Sequence, residues 1–143
     1  MQPADKLKAF REKRGISPAD VAAAAGISKA AYYDLESYGD LENSISLEKI
    51  NALSALLNIQ PYELFSSGSV SERISPNDLA VLLEKSMKKR GISLSQMEEE
   101  TGWALNSFVQ KPATAIQAWN IKALQDVCKA AGCKWLSVLN GMR

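Results

Sequence analysis

The segment GISKAAYYDLES, residues 26–37, decides how the first half of the chain folds. Gly26 suits a tight turn, because glycine adopts left-handed backbone angles at little cost. Ser28 can cap a helix with its side-chain oxygen, and Tyr32 and Leu35 follow it at helical spacing. The segment therefore predicts a turn followed by a helix that buries one face.

Capping signals on either side of this segment predict further helices. A first helix is expected from about residue 5 to 14, with Gly15 as a left-handed stop. Ser17 and Ser46 can cap the second and fourth helices, and Pro61 can begin a short fifth. Because no alternating strand pattern appears, we predict an all-α fold.

The chain contains an internal repeat. KLKAFREKRGIS (6–17) matches LLEKSMKKRGIS (82–93), and Gly26 meets Gly102 at the same offset. A Ser/Gly-rich stretch separates the copies, and SPNDL at residue 75 is a strong helix start. We therefore predict a first domain at 1–66, a linker at 67–75 and a second domain at 76–143.

Composition and hydropathy bound the class of protein. The chain of 143 residues is 46% hydrophobic and 23% charged, which is ordinary globular usage. No apolar run approaches the roughly 18 residues that span a bilayer, and the amino terminus lacks a signal-peptide core. We expect a cytoplasmic protein that does not enter a membrane.

Catalysis and metal binding have little support in the sequence. There is no histidine, which removes the commonest general base and the commonest transition-metal ligand. Cys128 and Cys133 match neither a zinc pair nor a redox CxxC spacing, and are interpreted as thiols that fill a small core. No phosphate-binding glycine loop is present either. We expect a protein that is not an enzyme and needs no metal or other cofactor.

Four stretches together carry a family resemblance: LKAFREKRGIS, VAAAAGIS, YDLES and LEKINALSALLNI. Residues 6–65 resemble the Xre/Cro/lambda-repressor-like helix-turn-helix family, and 76–141 resemble it weakly. The resemblance implies two five-helix domains in tandem. It also implies a structural ion pair between Arg11 and Glu36, which would fix the angle between the first and third helices.

The resemblance further implies a DNA-binding transcriptional regulator of bacterial or phage type, most often a repressor. Such proteins bind double-stranded DNA as homodimers, with the third helix in the major groove. The positions carried over to the groove face are Ser28, Lys29, Ala30, Ala31, Tyr33 and Asp34. The positions carried over to the phosphate backbone are Ser17 and Pro18, and the loop around Tyr38 and Asn43.

Three features of the first domain favour an alternative. Lys29 is the only groove-facing residue with a long cationic side chain, and Pro18 stands where the family often has a glutamine that can contact a phosphate. Residues 1–68 hold seven Lys/Arg against nine Asp/Glu, a net charge of −2. A protein-interaction or antitoxin-like adaptor that keeps the fold without strong DNA binding therefore stays open.

The second copy lacks sequence features that the first copy shares with DNA-binding members of the family. Met87, Ala104 and Pro112 stand where the first copy has Arg11, Ser28 and Glu36, so the ion pair and the serine cap are lost. Acidic residues at 98–100 replace alanines, and would oppose phosphate binding or form an ordinary solvated face. We interpret this half as a degenerate domain for dimerisation or for binding a protein partner. Its basic run at 85–90 is a solvated helix end or a phosphate-facing patch.

Overall fold

The computed structural model describes residues 2–142 and divides into two units between Ser69 and Val70. Both units are helical, and no strand occurs in the part of the chain that is described. The predicted all-α class is confirmed. Each unit has its own hydrophobic core.

The first unit contains four α-helices and one 3-10 helix. Their bounds are α1 Pro3–Lys13, α2 Pro18–Ala25, α3 Lys29–Tyr38, α4 Leu47–Leu57 and the 3-10 helix Pro61–Leu64. The fifth helix predicted from Pro61 is thus a single tight turn. The first helix begins two residues earlier than predicted, because Pro3 occupies its first position and the Asp5 carboxylate accepts the Gln2 backbone N–H at 3.2 Å.

Serine caps set the other helix starts in this unit. The side chains of Ser17, Ser28 and Ser46 accept the backbone N–H groups of Asp20, Ala31 and Lys49. Each bond satisfies a donor that the first helical turn leaves without an intrahelical partner. Gly26 has φ +69°, so the turn between α2 and α3 needs the left-handed conformation that its glycine supplies.

The core of the first unit lies where α1, α2, α3 and α4 meet. Tyr32 and Leu35 fill it from α3, and both are buried. The other elements contribute mainly aliphatic side chains, namely Leu7, Val21, Leu41, Ile50, Leu53, Leu57 and Leu64. Burial of this apolar stripe orients α3, since only its opposite face is left for solvent.

The second unit is also helical but has more elements. They are α5 Pro76–Arg90, α6 Leu94–Thr101, α7 Asn106–Gln110, α8 Pro112–Ala115, a 3-10 helix Ile116–Ala118, α9 Ile121–Ala131 and α10 Trp135–Gly141. The predicted five-helix plan therefore does not describe this copy. Lys111 leaves the helical region (φ −137°) before Pro112, so the third-helix equivalent is split into α7 and α8.

The segment predicted as a linker is divided between the units. Residues 67–69 fall in the first unit, while 70–74 run along α10 in the second. The Asn140 amide donates to the backbone carbonyls of Val70 and Glu72, both at 3.0 Å, and Ile74 N–H donates to the Ser137 carbonyl at 3.0 Å. We call residues 70–74 the strap. Its hydrogen bonds to buried side chains and backbone make it part of the second unit's structure.

A candidate nucleic-acid interface on α3

One face of α3 carries all of the predicted groove-facing residues. Ser28, Lys29, Ala30, Ala31, Tyr33 and Asp34 are exposed, and Tyr33 keeps 45% of its surface accessible. Tyr32 and Leu35 lie on the opposite face in the core. The structure thus brings the six residues together on one accessible surface held by a buried stripe.

Arg11 and Glu36 connect α1 to this helix. Arg11 Nε donates to Glu36 Oε1 at 2.7 Å, and Arg11 Nη2 donates to Oε2 at 3.4 Å. A third guanidinium bond goes from Nη1 to the carbonyl of Ile16 at 3.1 Å. Arg11 therefore connects α1 both to α3 and to the loop that precedes α2. Both side chains are nearly buried, at 12% and 9% exposed.

Tyr32 completes this network, a role that the sequence pattern does not indicate. Its hydroxyl donates to Glu36 Oε1 at 2.7 Å, one helical turn away. The spacing of four residues between Tyr32 and Glu36 would permit the bond, but many Tyr/Glu pairs at that spacing never meet. The carboxylate of Glu36 consequently accepts from two different side chains.

The network shifts the ionisation of its members. Burial opposes ionisation of Glu36, but the hydrogen bonds from Arg11 and Tyr32 outweigh burial, so the Glu36 pKa is lowered. The pKa of Tyr32 is raised, by burial first and by its hydrogen bond to Glu36 second. The hydrogen bond to Glu36 also raises the Arg11 pKa against the effect of burial. Glu36 is therefore a carboxylate at neutral pH.

Lys29 and Tyr33 form a pair on the exposed face. The Lys29 ammonium lies 5.7 Å from the centroid of the Tyr33 ring, within the range of a cation–π contact. The two residues are one helical turn apart at the amino end of α3. Lys29, the long cationic side chain of this face, is therefore in contact with the exposed ring of Tyr33.

The predicted phosphate positions are placed less uniformly. Ser17 is exposed, and its oxygen caps α2, so its O–H can still donate to a phosphate oxygen. Pro18, the first residue of α2, has no N–H. Asn43 lies in the loop before α4, where its side-chain amide donates to Asp40 at 3.1 Å.

A groove of about 430 Å³ opens beside the carboxyl end of α3. Its charged lining residues are Asp34, Asp40 and Lys49, and Tyr38, 82% exposed, stands at its side. Ala31 borders both the groove and the predicted groove-facing surface. Exposed charge is thus uneven, with Lys29 at the amino end of α3, Asp34 further along the helix and Asp40 in the loop that follows it.

In residues 70–142 of the second unit, the helix that corresponds to α3 is α7, and it begins differently. α7 begins without a side-chain cap of its own; instead the Glu98 carboxylate on α6 accepts the N–H of Leu105 at 2.7 Å. Glu100 pairs with Arg90 at 2.9 Å, with both side chains over 40% exposed. Glu98 and Glu100 of the acidic run therefore have partners within the unit. The basic residues at 88–90 are exposed in the last turn of α5.

Neither a membrane-spanning helix nor a cluster of metal ligands occurs in the part of the chain that the structure describes. No helix within residues 2–142 combines the length and apolar character needed to cross a membrane. The same residues contain no group of three or more Cys, Asp or Glu side chains arranged to hold a metal ion.

Comparison with known proteins identifies the first unit. The family model described as Helix-turn-helix matches residues 7–64, from within α1 to the end of the 3-10 helix. No curated protein and no solved structure matches the chain. The resemblance drawn from residues 6–65 is confirmed, and the all-helical fold and buried α3 stripe agree with it. Residues 7–64 form a helix-turn-helix domain of the Xre/Cro/lambda-repressor-like family, a family of DNA-binding regulators.

Proposed function

We propose that the protein is a DNA-binding transcriptional repressor of bacterial or phage type, and that α3 of the first unit enters the major groove. The observation that carries the proposal is the single exposed face of α3, on which Ser28, Lys29, Ala30, Ala31, Tyr33 and Asp34 lie within a helix-turn-helix domain. Recognition helices of this kind contact base edges mainly through their amino-terminal residues. Regulation of transcription, rather than catalysis, follows from that docking.

The charge distribution indicates which part of α3 lies deepest. Lys29 is at the amino end, whereas Asp34 and Asp40 lie towards the carboxyl end. Phosphates repel carboxylates, so we place the amino-terminal half of α3 against the bases and the carboxyl end away from the groove floor. The hydroxyls of Ser17 and Ser28 then lie near enough to the helix amino ends to donate to phosphates.

Specificity is expected to be modest. Only Lys29 can donate to guanine acceptors over a long reach, and the alanines can contact thymine methyl groups. Tyr33 can donate through its hydroxyl or pack against a sugar. Most discrimination would then come from methyl contacts and from the shape of the duplex.

A salt series tests the proposal directly. Fluorescence anisotropy of labelled duplex DNA from upstream of the protein's own gene should give saturable binding at low salt. The logarithm of the affinity should fall linearly with the logarithm of salt concentration, by about 0.9 for each phosphate neutralised. Absence of saturable binding at low salt to this DNA and to a random duplex would refute DNA binding.

We propose that the second unit organises a homodimer. This degenerate copy lacks the ion pair and the serine cap that the first unit has. Its acidic residues 98 and 100 make contacts within the second unit. A dimer would place two α3 helices on half-sites about 34 Å apart. Sedimentation of the full chain at micromolar concentration, compared with a chain ending at Ser69, tests this role. Equal sedimentation behaviour as monomers would contradict it.

A second candidate function is a protein-interaction or antitoxin-like adaptor. The groove beside α3 favours it, because Asp34 and Asp40 line a cavity that exposed Tyr38 borders. A protein side chain that is cationic and partly apolar would suit this groove better than a phosphate does. Failure of the DNA test, together with one stoichiometric protein partner whose complex is lost on Asp34→Lys, would support this function instead.

A further inference from the structure

Among the described residues, five helices end in the same motif, and one of these ends carries two cysteines. At the ends of α1, α2, α4 and α5, the residue after the left-handed position donates its backbone N–H to the carbonyl five residues earlier. The donor is an isoleucine each time, namely Ile16, Ile27, Ile59 and Ile92. In α9 the corresponding residue is Cys133, and its N–H donates to the carbonyl of Cys128 at 3.0 Å. Gly132 supplies the left-handed residue, with φ +78°.

This motif brings two particular side chains together. Its backbone bonds, here also Gly132 N–H to the Lys129 carbonyl at 3.3 Å, close a loop whose first and last residues pack against each other. In the other four helices the last residue of this loop is an apolar isoleucine. At the end of α9 the same backbone geometry places one thiol beside the other. Such proximity is what a disulfide requires.

The two thiols differ in access and in ionisation. Cys128 is 1% exposed, whereas Cys133 is half-buried. The hydrogen bond from Cys128 lowers the pKa of Cys133, against the opposing effects of burial and of the Glu72 carboxylate. The hydrogen bond with Cys133, and then burial, raise the pKa of Cys128. A more acidic, accessible thiol beside a shielded one is the arrangement of an attacking and a resolving cysteine.

We propose that Cys128 and Cys133 form a redox-active dithiol that hydroperoxides oxidise to an intrachain disulfide. The Cys133 thiolate attacks a peroxide oxygen, the O–O bond breaks, and the released oxyanion takes a proton to leave as water or an alcohol. Cys133 is then a sulfenic acid. The Cys128 sulfur attacks it, the S–O bond breaks, and the hydroxide leaves as water with the Cys128 proton. The two thiols lose two electrons, which reduce the peroxide, and a dithiol reductant reverses the change.

Intact-mass analysis of the full chain, treated with hydrogen peroxide and then alkylated, tests the proposal. We expect a monomer that has lost about 2 Da and takes up no alkylating agent, because both thiol hydrogens have left. Dithiothreitol should restore two alkylation sites. A treated chain that is still alkylated at both cysteines would overturn the proposal, and so would conversion to disulfide-linked dimers alone.

Single variants separate the two roles. Cys128→Ser should stop at the sulfenic acid, so dimedone should label Cys133 during peroxide treatment. Cys133→Ser should give little dimedone label, because Cys128 is shielded. Equal labelling of both variants would contradict the assignment. Circular dichroism establishes that each variant is folded, and Cys128→Ala replaces Cys128→Ser if the buried hydroxyl unfolds the chain. Because the readout is mass, the outcome is independent of whether the protein binds DNA.

Discussion

The Arg11 guanidinium and the Glu36 carboxylate hold α1 against α3 through hydrogen bonds of 2.7 and 3.4 Å. Because Arg11 also donates to the carbonyl of Ile16, the same side chain fixes the loop that leads into α2. The Arg11 and Glu36 side chains are largely buried, and their polar atoms are hydrogen bonded within the domain. The pair therefore sets the direction of α3 and is not available to contact DNA.

Glu36→Gln should lower the free energy of unfolding by about 3 kcal/mol, because it leaves a nearly buried guanidinium without its counter-charge. Urea denaturation measures this loss. Glu100→Gln is the matched control, since Glu100 pairs with Arg90 at 2.9 Å on the surface and should cost under about 1 kcal/mol. Equal losses for the two variants would show that burial of the Arg11–Glu36 pair is not what makes it stabilising.

The same pair predicts a pH dependence. The folded pKa of Glu36 lies below its ordinary value, so its contribution to stability is present above the unfolded pKa of about 4.5 and is lost as pH falls through the folded pKa. The stability difference between wild type and Glu36→Gln should therefore shrink steadily from about pH 5 to pH 3. Urea denaturation at several pH values measures it. A difference that stays constant over this range would contradict a lowered pKa.

Lys29→Ala should weaken DNA binding by about 5- to 150-fold at the preferred sequence and by less on random DNA, since base contacts of this kind contribute about 1–3 kcal/mol. Anisotropy titration at one fixed salt concentration measures both affinities. Lys111→Ala removes another exposed lysine, in the second unit, and should leave binding nearly unchanged. Equal effects of Lys29→Ala on both DNAs would mean that Lys29 contacts phosphate alone.

The Lys29–Tyr33 contact makes a related prediction. Tyr33→Phe keeps the ring under the ammonium but removes the hydroxyl, whereas Tyr33→Ala removes both. If the ring orients Lys29, Tyr33→Ala should weaken binding and Tyr33→Phe should not. In the Lys29→Ala background, loss of the ring should then have little further effect. If the losses of DNA affinity are additive in the double variant, Lys29 and Tyr33 act independently and the ring does not orient Lys29.

The sequence predicted the first unit well because its signals are local. Gly26 and Ser28 act on backbone within three residues of themselves, and the buried stripe of Tyr32 and Leu35 follows from helical spacing. The exposure of Lys29 then follows from geometry, because it lies off that stripe. Family resemblance supplied the one long-range contact, between Arg11 and Glu36, which no local pattern could have indicated.

Prediction was weaker where a contact joins distant residues. Asn140 donates to the carbonyl of Val70, seventy residues away, so a Ser-rich stretch that looks like a linker is partly held in place. Likewise, the position of Glu98 in an acidic run indicates a solvated side chain, whereas in the structure its carboxylate accepts the N–H of Leu105 at the start of α7. Such partners are set by tertiary packing, and composition alone carries no information about them.

Glu98→Ala should destabilise the second unit by about 1 kcal/mol, because the N–H of Leu105 loses the acceptor that replaces a serine cap. Glu99→Ala is the matched control: it removes the adjacent exposed carboxylate, and should change stability by less than about 0.5 kcal/mol. Hydrogen exchange of the Leu105 amide measures the local effect. Unchanged protection of that amide in Glu98→Ala would contradict the capping role.

Gly141→Ala should destabilise the second unit by about 1–3 kcal/mol, because the added Cβ would meet the backbone of Ile74 in the strap. Backbone cannot turn aside as a flexible side chain can, so the strap must move away from α10 and weaken the bond from Ile74 N–H to the Ser137 carbonyl. Gly68→Ala is the control, since its new methyl group meets nothing within 4 Å. Thermal unfolding measures the loss, and faster exchange of the Ile74 amide locates it. A destabilised Gly141→Ala with normal Ile74 protection would place the strain in α10 instead of the strap.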